Sequence, residues 1–292
     1  ALLMKAKTNP FFQAMEDGAR KAAKELGVEL IAMGITRETD VQEQINQIEN
    51  MIAQRVDAIL VTPADSKAII GSLLKAQEKG ILVINVDNRL DPQTVKEKGL
   101  KLACYVGVDN EKGGYMAGKF LIQTLKKKKP GKKLYKVAML EGIRGVDNAE
   151  ARKRGFFKAV EEDQAVELVD SQTANWDMQQ ATNVFSDMLR AHEDLDGLFC
   201  ANDMMALGAI RALQEQKKID QVTVVSYDNI KAAQRELLRG TLAGTIEQHP
   251  ELMGEYAVKE AVSALRGKKI SPETLVPLEL ITAEKIKKEK GS

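Results

Sequence analysis

Short apolar runs alternate with stretches of helical periodicity along the whole chain. Residues 2–4 form the first apolar run, and over 14–26 Met15, Ala19, Ala22, Ala23 and Leu26 recur at helical spacing. The pattern then predicts a strand over 29–33, a helix over 41–54 with Ile45, Ile48 and Ile52 on one face, and a strand over 58–61. A helix over 68–79, closed by Gly80, precedes strands over 81–86 and 102–108. The alternation restarts with a helix around 113–125, a strand over 136–140 and a helix over 149–161. Strands near 166–169, 197–201 and 222–227 follow, with helices over 178–191 and 204–214. Strands over 242–246 and 277–281 flank a last helix at 250–266. This order predicts an α/β protein with two successive lobes, each a parallel sheet covered by helices on both faces. The lobes join near 108–110, the late elements return to the first one, and a cleft between two similar lobes is the economical architecture.

In an open α/β sheet, ligands sit beyond the carboxyl ends of the strands. The residues there are Asn9, Phe11 and Phe12; Thr62; Asp87, Asn88 and Arg89; Glu141; Asn202 and Asp203; Asp228; and Gln248. In Asn9-Pro10-Phe11-Phe12, Pro10 suits a first helical position, where its missing N–H costs nothing. Helical geometry turns the two adjacent rings about 100° apart, so one is expected to face outward as a platform for the C–H face of a sugar. The Asn9 amide is the polar group to look for beside it. The set as a whole is rich in short, planar groups that both donate and accept, which suits adjacent hydroxyls. Each position also has a purely structural role open to it. Asn202, Asp203 and Asp228 have the residue types that cap helices, and Asp87 with Arg89 can form a loop salt bridge. Their recurrence at equivalent places in both halves favours binding. Trp176, the only tryptophan, lies in the polar stretch 173–177 and is either a cleft wall or a cap over core, the cleft being favoured.

Composition narrows the partners. At 292 residues the chain is long enough for two domains. Lys and Arg total 43 against 42 Asp and Glu, so no net field draws it to nucleic acid or an anionic membrane. The basic run 126–129, with Lys132 and Lys133, lacks aromatics and is broken by Pro130-Gly131, so it reads as a solvated loop. The basic tail 285–290 reads as frayed surface. Cys104 and Cys200 sit in separate apolar runs and read as small buried hydrophobes. No apolar run reaches membrane-spanning length, and the chain opens directly on a strand, as expected of a processed or truncated protein. Catalytic signals are poor. His192 and His249 are the only histidines, and no Cys/His spacing suggests a metal. Nucleophile-elbow, phosphate-loop and dinucleotide glycine patterns are all missing. A binding protein without cofactor or metal is therefore expected rather than an enzyme.

Taken in order, several segments resemble the ribose-binding branch of the type I periplasmic binding proteins, the monosaccharide-binding components of ABC importers. They are residues 9–12 with 17–19, 62–66, 108–110 with 113–114, 149–156, 201–203 with 205–209, and Gln248. The resemblance implies two Rossmann-like lobes linked by a three-stranded hinge, with lobe boundaries at 1–108 plus 249–277 and 109–248 plus 278–292. It implies that Phe11 and Trp176 sandwich a sugar ring, with Phe12 on the same wall. Asn9, Asp87, Arg152, Asn202, Asp228 and Gln248 would then hydrogen-bond its hydroxyls. Arg152 enters on this ground alone. Thr62 stands where ribose binders usually carry Asn, and Asn88 separates Asp87 from Arg89, so either Asn88 or Arg89 is expected to point into the cleft. The resemblance further implies a monomer that closes over a pentose, hexose or polyol and delivers it to a membrane permease, with a chemoreceptor as a possible second partner. Its place would be periplasmic or extracellular, lipid-anchored in a Gram-positive cell. The alternative is the effector core of a lactose-repressor-type regulator, which shares a similar Ala-Asn-Asp-x-Met-Ala segment at 201–206 and needs a DNA-binding module ahead of residue 1.

Overall fold

The computed structural model describes residues 1–291. The chain forms two compact units, one from residues 1–108, 145–148 and 249–277, the other from 109–144, 149–248 and 278 onward. In the first, strands β1 (Leu2–Met4), β2 (Ala32–Gly34), β3 (Ala58–Val61), β4 (Leu82–Val86), β5 (Cys104–Gly107) and β11 (Glu273–Leu275) form a parallel sheet ordered β2-β1-β3-β4-β5-β11. In the second, β6 (Tyr135–Glu141), β7 (Val166–Thr173), β8 (Gly197–Cys200), β9 (Thr223–Tyr227), β10 (Gly244–Glu247) and β12 (Glu279–Ile281) are ordered β7-β6-β8-β9-β10-β12. The two orders are the same; only the last strand differs, β12 running antiparallel to β10. Each sheet reverses its winding direction beside its first strand, between β1 and β3 and between β6 and β8. That is where the carboxyl ends of a doubly wound sheet leave room for a ligand.

The first unit carries α1 (Pro10–Leu26), α2 (Val41–Ala53), α3 (Ile70–Glu78), α4 (Pro92–Lys98) and α10 (Pro250–Leu265). The second carries α5 (Asn110–Lys128), nearly all of α6 (Asp147–Glu161), α7 (Met178–Ala191), α8 (Asp203–Glu215), α9 (Lys231–Arg239) and α11 (Ala283–Gly291). Strands β3 and β8 are buried throughout, as parallel strands covered on both faces must be. Their side chains form the centre of two separate apolar cores, around Leu3, Ile59 and Leu73 in one unit and around Leu140, Phe185 and Phe199 in the other.

Several local expectations are corrected. β2 begins three residues later than the apolar pattern places it, and β7 runs four residues further, to Thr173. Helix α4 escaped the periodicity reading because it is short and buries no residue, although Asp91 caps it and Pro92 starts it. The basic tail is the helix α11, not frayed surface. The basic run is not a free loop either. Helix α5 continues to Lys128, Lys126 pairs with Asp163 at 2.5 Å, and Lys129 and Lys132 converge on Asp196 at 2.8 and 2.6 Å. Asp196 is buried and also accepts the Lys136 amide at 2.9 Å. Burial pushes its carboxyl up, but Lys129, Lys132 and that amide together hold it below the ordinary value.

A carboxyl held low in the folded state adds stability above the unfolded value and loses it as pH falls through the folded one. Asp196→Asn is therefore expected to lower stability at pH 7 by about 1–3 kcal/mol, with the two half-exposed lysines keeping the loss modest. The deficit should shrink when denaturation is repeated below pH 3.8. A deficit of constant size would show that the charge is not what matters.

Candidate functional site

At the carboxyl end of β1 in the first unit, Lys5 is buried and its ammonium lies 2.8 Å from Glu38 Oε2. Glu38 Oε1 accepts from Asn9 Nδ2 at 3.4 Å. Asn9 in turn caps α1, its Oδ1 accepting the Phe11 amide at 3.1 Å, with Pro10 in the first turn as its fixed φ favours. Phe11 and Phe12 pack edge to face, centroids 5.1 Å apart at 90°, and both are buried. At the end of β4, Asp87 takes a left-handed backbone, φ 61°. Its amide donates to Val106 O at 2.8 Å, and its carbonyl accepts the Tyr105 hydroxyl at 2.7 Å.

In the second unit the corresponding strand ends surround Arg152, which is 3% exposed. Its Nε donates to Asn110 Oδ1 at 2.8 Å, Nη1 to Ala201 O at 2.7 Å and Nη2 to Gln248 Oε1 at 3.1 Å. Gln248 Nε2 donates to Asp228 Oδ1 at 2.6 Å, and that oxygen lies 3.8 Å from Arg152 Nη1. The guanidinium carbon sits 3.8 Å from the centre of the Tyr227 ring and 5.4 Å from Trp176. Arg152 thus belongs to a closed network of planar polar groups flanked by aromatic faces, an arrangement suited to the fork of an arginine. Trp176 is buried with its indole flat against Gly142; a Cβ there would meet the ring at 2.0 Å. Asn202 caps α8, accepting the Met205 amide at 2.9 Å.

Backbone strain falls in the same places. Among the described residues, non-glycine positions with positive φ are Arg55, Asp87, Asn175, Trp176, Lys217, Asp228, Asn229 and His249. Arg55 and Lys217 lie just past helix ends, where left-handed residues are common. The other six lie at or beside Asp87, Trp176, Asp228 and Gln248. Each costs about 1–2 kcal/mol and persists only where the surroundings over-determine it, which is typical of ligand-binding sites.

The profile of the periplasmic binding protein domain matches residues 1–269. The chain belongs to that family. Over 289 residues it is 38% identical to the D-ribose/D-allose-binding protein of Pseudomonas aeruginosa, covering 97% of this chain and 88% of the relative. It is 34% identical over 274 residues to the ribose import binding protein RbsB of Bacillus subtilis, covering 94% of this chain and 84% of that one. The periplasmic solute-binding protein of an ABC transporter from Actinobacillus succinogenes, solved with bound D-allose, superposes with a TM-score of 0.91. It is 38% identical and covers 98% of each chain. The type I periplasmic binding protein fold expected from the sequence is thus established, and a repressor-type effector core is not favoured.

Within this periplasmic binding protein fold, the strand-end residues divide into two groups. Asn9, Phe11, Phe12 and Asp87 belong to the first unit, as does Lys5; Arg152, Trp176, Asn202, Asp228 and Gln248 belong to the second. Thr62 is a correction. Its side chain is fully buried with the hydroxyl donating to Met15 Sδ at 3.7 Å, so it faces the core. Asn88 and Arg89, of which one was expected to face the cleft, both make contacts within the first unit. Asn88 Nδ2 donates to Pro63 O at 2.9 Å and Oδ1 accepts the Asn148 amide at 3.2 Å, which ties its loop to the segment after β3 and to the start of α6. Arg89 pairs with Glu273 and lies over the Tyr105 ring. Phe11 and Phe12 are both buried, so neither ring faces bulk solvent. Glu141 is consumed by Arg144, Lys153 and Ser171. Lys5 escaped the sequence reading; the available signal was a lysine directly continuing an apolar strand, where burial demands a partner.

Asp203 is fully buried behind this cluster. It accepts the Ser226 hydroxyl, the Thr245 hydroxyl at 2.9 Å and the Ile230 amide at 2.8 Å, tying α8 to β9, β10 and the strained turn at Asp228. Burial pushes its carboxyl up to about 7 against those hydrogen bonds. A raised acid favours the folded state most at low pH and loses that advantage as pH rises through the folded value. The stability of the native protein relative to Asp203→Asn should therefore fall between pH 4 and about 7 in thermal denaturation. Parallel curves would rule out this titration.

Proposed function

We propose that this protein is the solute-binding component of an ABC importer and that its cargo is an aldopyranose of the ribo/allo series, D-allose or D-ribose. The observation that carries this reading is the Arg152–Gln248–Asp228 network beside Trp176, set on strained backbone at the strand ends of the second unit. The first unit supplies the complementary groups: Asp87, Lys5 and Asn9, with the Phe11–Phe12 pair as apolar wall. Each buried cation is already matched by an acid of its own unit, Lys5 by Glu38 and Arg152 by Asp228. Charge-compensated, bidentate groups suit a neutral polyhydroxylated ring better than a phosphorylated one. The names of the relatives point the same way. D-Ribopyranose and D-allopyranose share their ring hydroxyl configuration and differ by one hydroxymethyl group, so one set of hydrogen-bonding groups serves both. The Asn-to-Thr exchange at position 62 carries no argument against ribose, because Thr62 faces core.

A sugar that draws on both sets of groups favours the conformation in which both reach it, which is the hinge closure general to periplasmic binding proteins. A permease would read that conformation and a chemoreceptor would be a second reader. The protein acts as a monomer outside the cytoplasmic membrane, lipid-tethered where the cell has only one. Among the described residues, no helix is long and apolar enough to cross a membrane.

The test is a thermal-shift panel of D-allose, D-ribose, other pentoses and hexoses, and alditols. Ligand at 100 times its Kd should add about 2.7 kcal/mol of stability. The sugars that shift the melting point should also change Trp176 fluorescence. No shift with any member of the panel would overturn the reading. Arg152→Met should weaken binding about 10- to 100-fold, since charge-assisted hydrogen bonds are lost.

A further inference from the structure

We propose that Tyr105 is a positioning residue for Asp87, and that Arg89 and Glu273 serve it by holding its phenol in place. The inference rests on the reading that Asp87 contacts the sugar. Hydrogen bonds act on both peptide planes of Asp87. Its N–H belongs to the preceding peptide plane and bonds to Val106 O at 2.8 Å; its C=O belongs to the following plane and accepts the Tyr105 hydroxyl at 2.7 Å. Fixing both planes fixes φ and ψ, and with them the direction in which the carboxylate leaves the chain. At φ 61° this conformation is unfavourable for an L-residue and reverts unless something holds it. The ladder bond on the N–H side is available to any residue following β4. The bond on the C=O side depends on one side chain.

The surroundings of Tyr105 are built for that bond. Gly107 lies on the same face of β5 two residues on, and a Cβ there would stand 2.1 Å from the Tyr105 hydroxyl oxygen. The missing side chain is therefore what lets the phenol lie along the strand and reach the Asp87 carbonyl. Glu273 of β11 is the register partner of Tyr105 and pairs with Arg89, whose guanidinium carbon sits 3.5 Å from the centre of the phenol ring. Arg89 thus clamps the ring from one face while Glu273 fixes Arg89 laterally. The rest of the loop is braced separately. Asn85 Nδ2 donates to Asn88 O at 2.7 Å and Asn85 Oδ1 accepts the Leu90 amide at 2.9 Å. The Tyr105 hydroxyl consequently acts on the Asp87 conformation and not on the loop as a whole.

Tyr105→Phe removes the hydroxyl and keeps the ring, its packing and the Arg89 contact. Affinities for D-allose and D-ribose would be measured by calorimetry for the wild type, Tyr105→Phe, Asp87→Ala and the double variant, with the melting point of each unliganded protein alongside. Tyr105→Phe is expected to weaken binding about 3- to 10-fold, the worth of one neutral hydrogen bond. In the Asp87→Ala background the same change should alter affinity by less than about 2-fold, because the group it positions is gone. Loss of general stability alone would carry over equally into both backgrounds, so that result overturns the proposal, as does wild-type affinity in Tyr105→Phe. A wild type with no affinity for either sugar overturns the underlying reading and the inference with it. Arg89→Gln separates the clamp from direct contact: as a clamp it weakens binding only while Asp87 is present, and a loss that persists in Asp87→Ala overturns its assigned role.

Discussion

A guanidinium removed from water must find partners for its N–H groups, and Arg152 finds acceptors in three separate segments. The side chain comes from α6; its acceptors are Asn110 at the start of α5, the carbonyl of Ala201 after β8 and Gln248 after β10. Tyr227 from β9 supplies the face beneath it. An unsatisfied buried charge is among the largest penalties a fold can carry, so these elements are held to one arrangement by the charge they share. The sheet order brings β8, β9 and β10 side by side, and Arg152 fixes what happens where they end.

The two units solve one geometric problem with different chemistry. In both, the strand fourth in its winding ends on an aspartate in strained backbone, Asp87 after β4 and Asp228 after β9. In both, the amide of that aspartate bonds to the next strand, to Val106 O and to Ile246 O. The brace differs. A phenol from β5 grips the carbonyl of Asp87, whereas the buried carboxylate of Asp203 grips the amide of Ile230, two residues beyond Asp228.

The fold was largely legible in the sequence, because parallel strands buried on both faces leave continuous apolar runs, and those at 58–61, 197–201 and 222–227 match β3, β8 and β9 to within one residue. What escaped were elements with little apolar surface to announce them, such as α4, α9 and β11. The strand-end rule picked out Asn9, Asp87, Asn202, Asp228 and Gln248, all of which lie buried at strand ends. Position relative to a strand does not say which way a side chain turns, as Thr62, Asn88 and Arg89 show. Thr62 turns into the core, Asn88 onto Pro63 and Asn148, and Arg89 onto Tyr105. Arg152 is on a helix face, and only a resemblance could raise it; Lys5 was hidden within an apolar run whose period it breaks.

Left-handed backbone recurs at Arg55 and Lys217, away from the strand-end clusters, where it merely ends α2 and α8. Glycine would adopt the same turn without a Cβ penalty. The molecule therefore keeps an unused reserve of thermal tolerance at two peripheral corners, one in each unit, that an engineer could draw on when building a sugar sensor while leaving recognition as it stands.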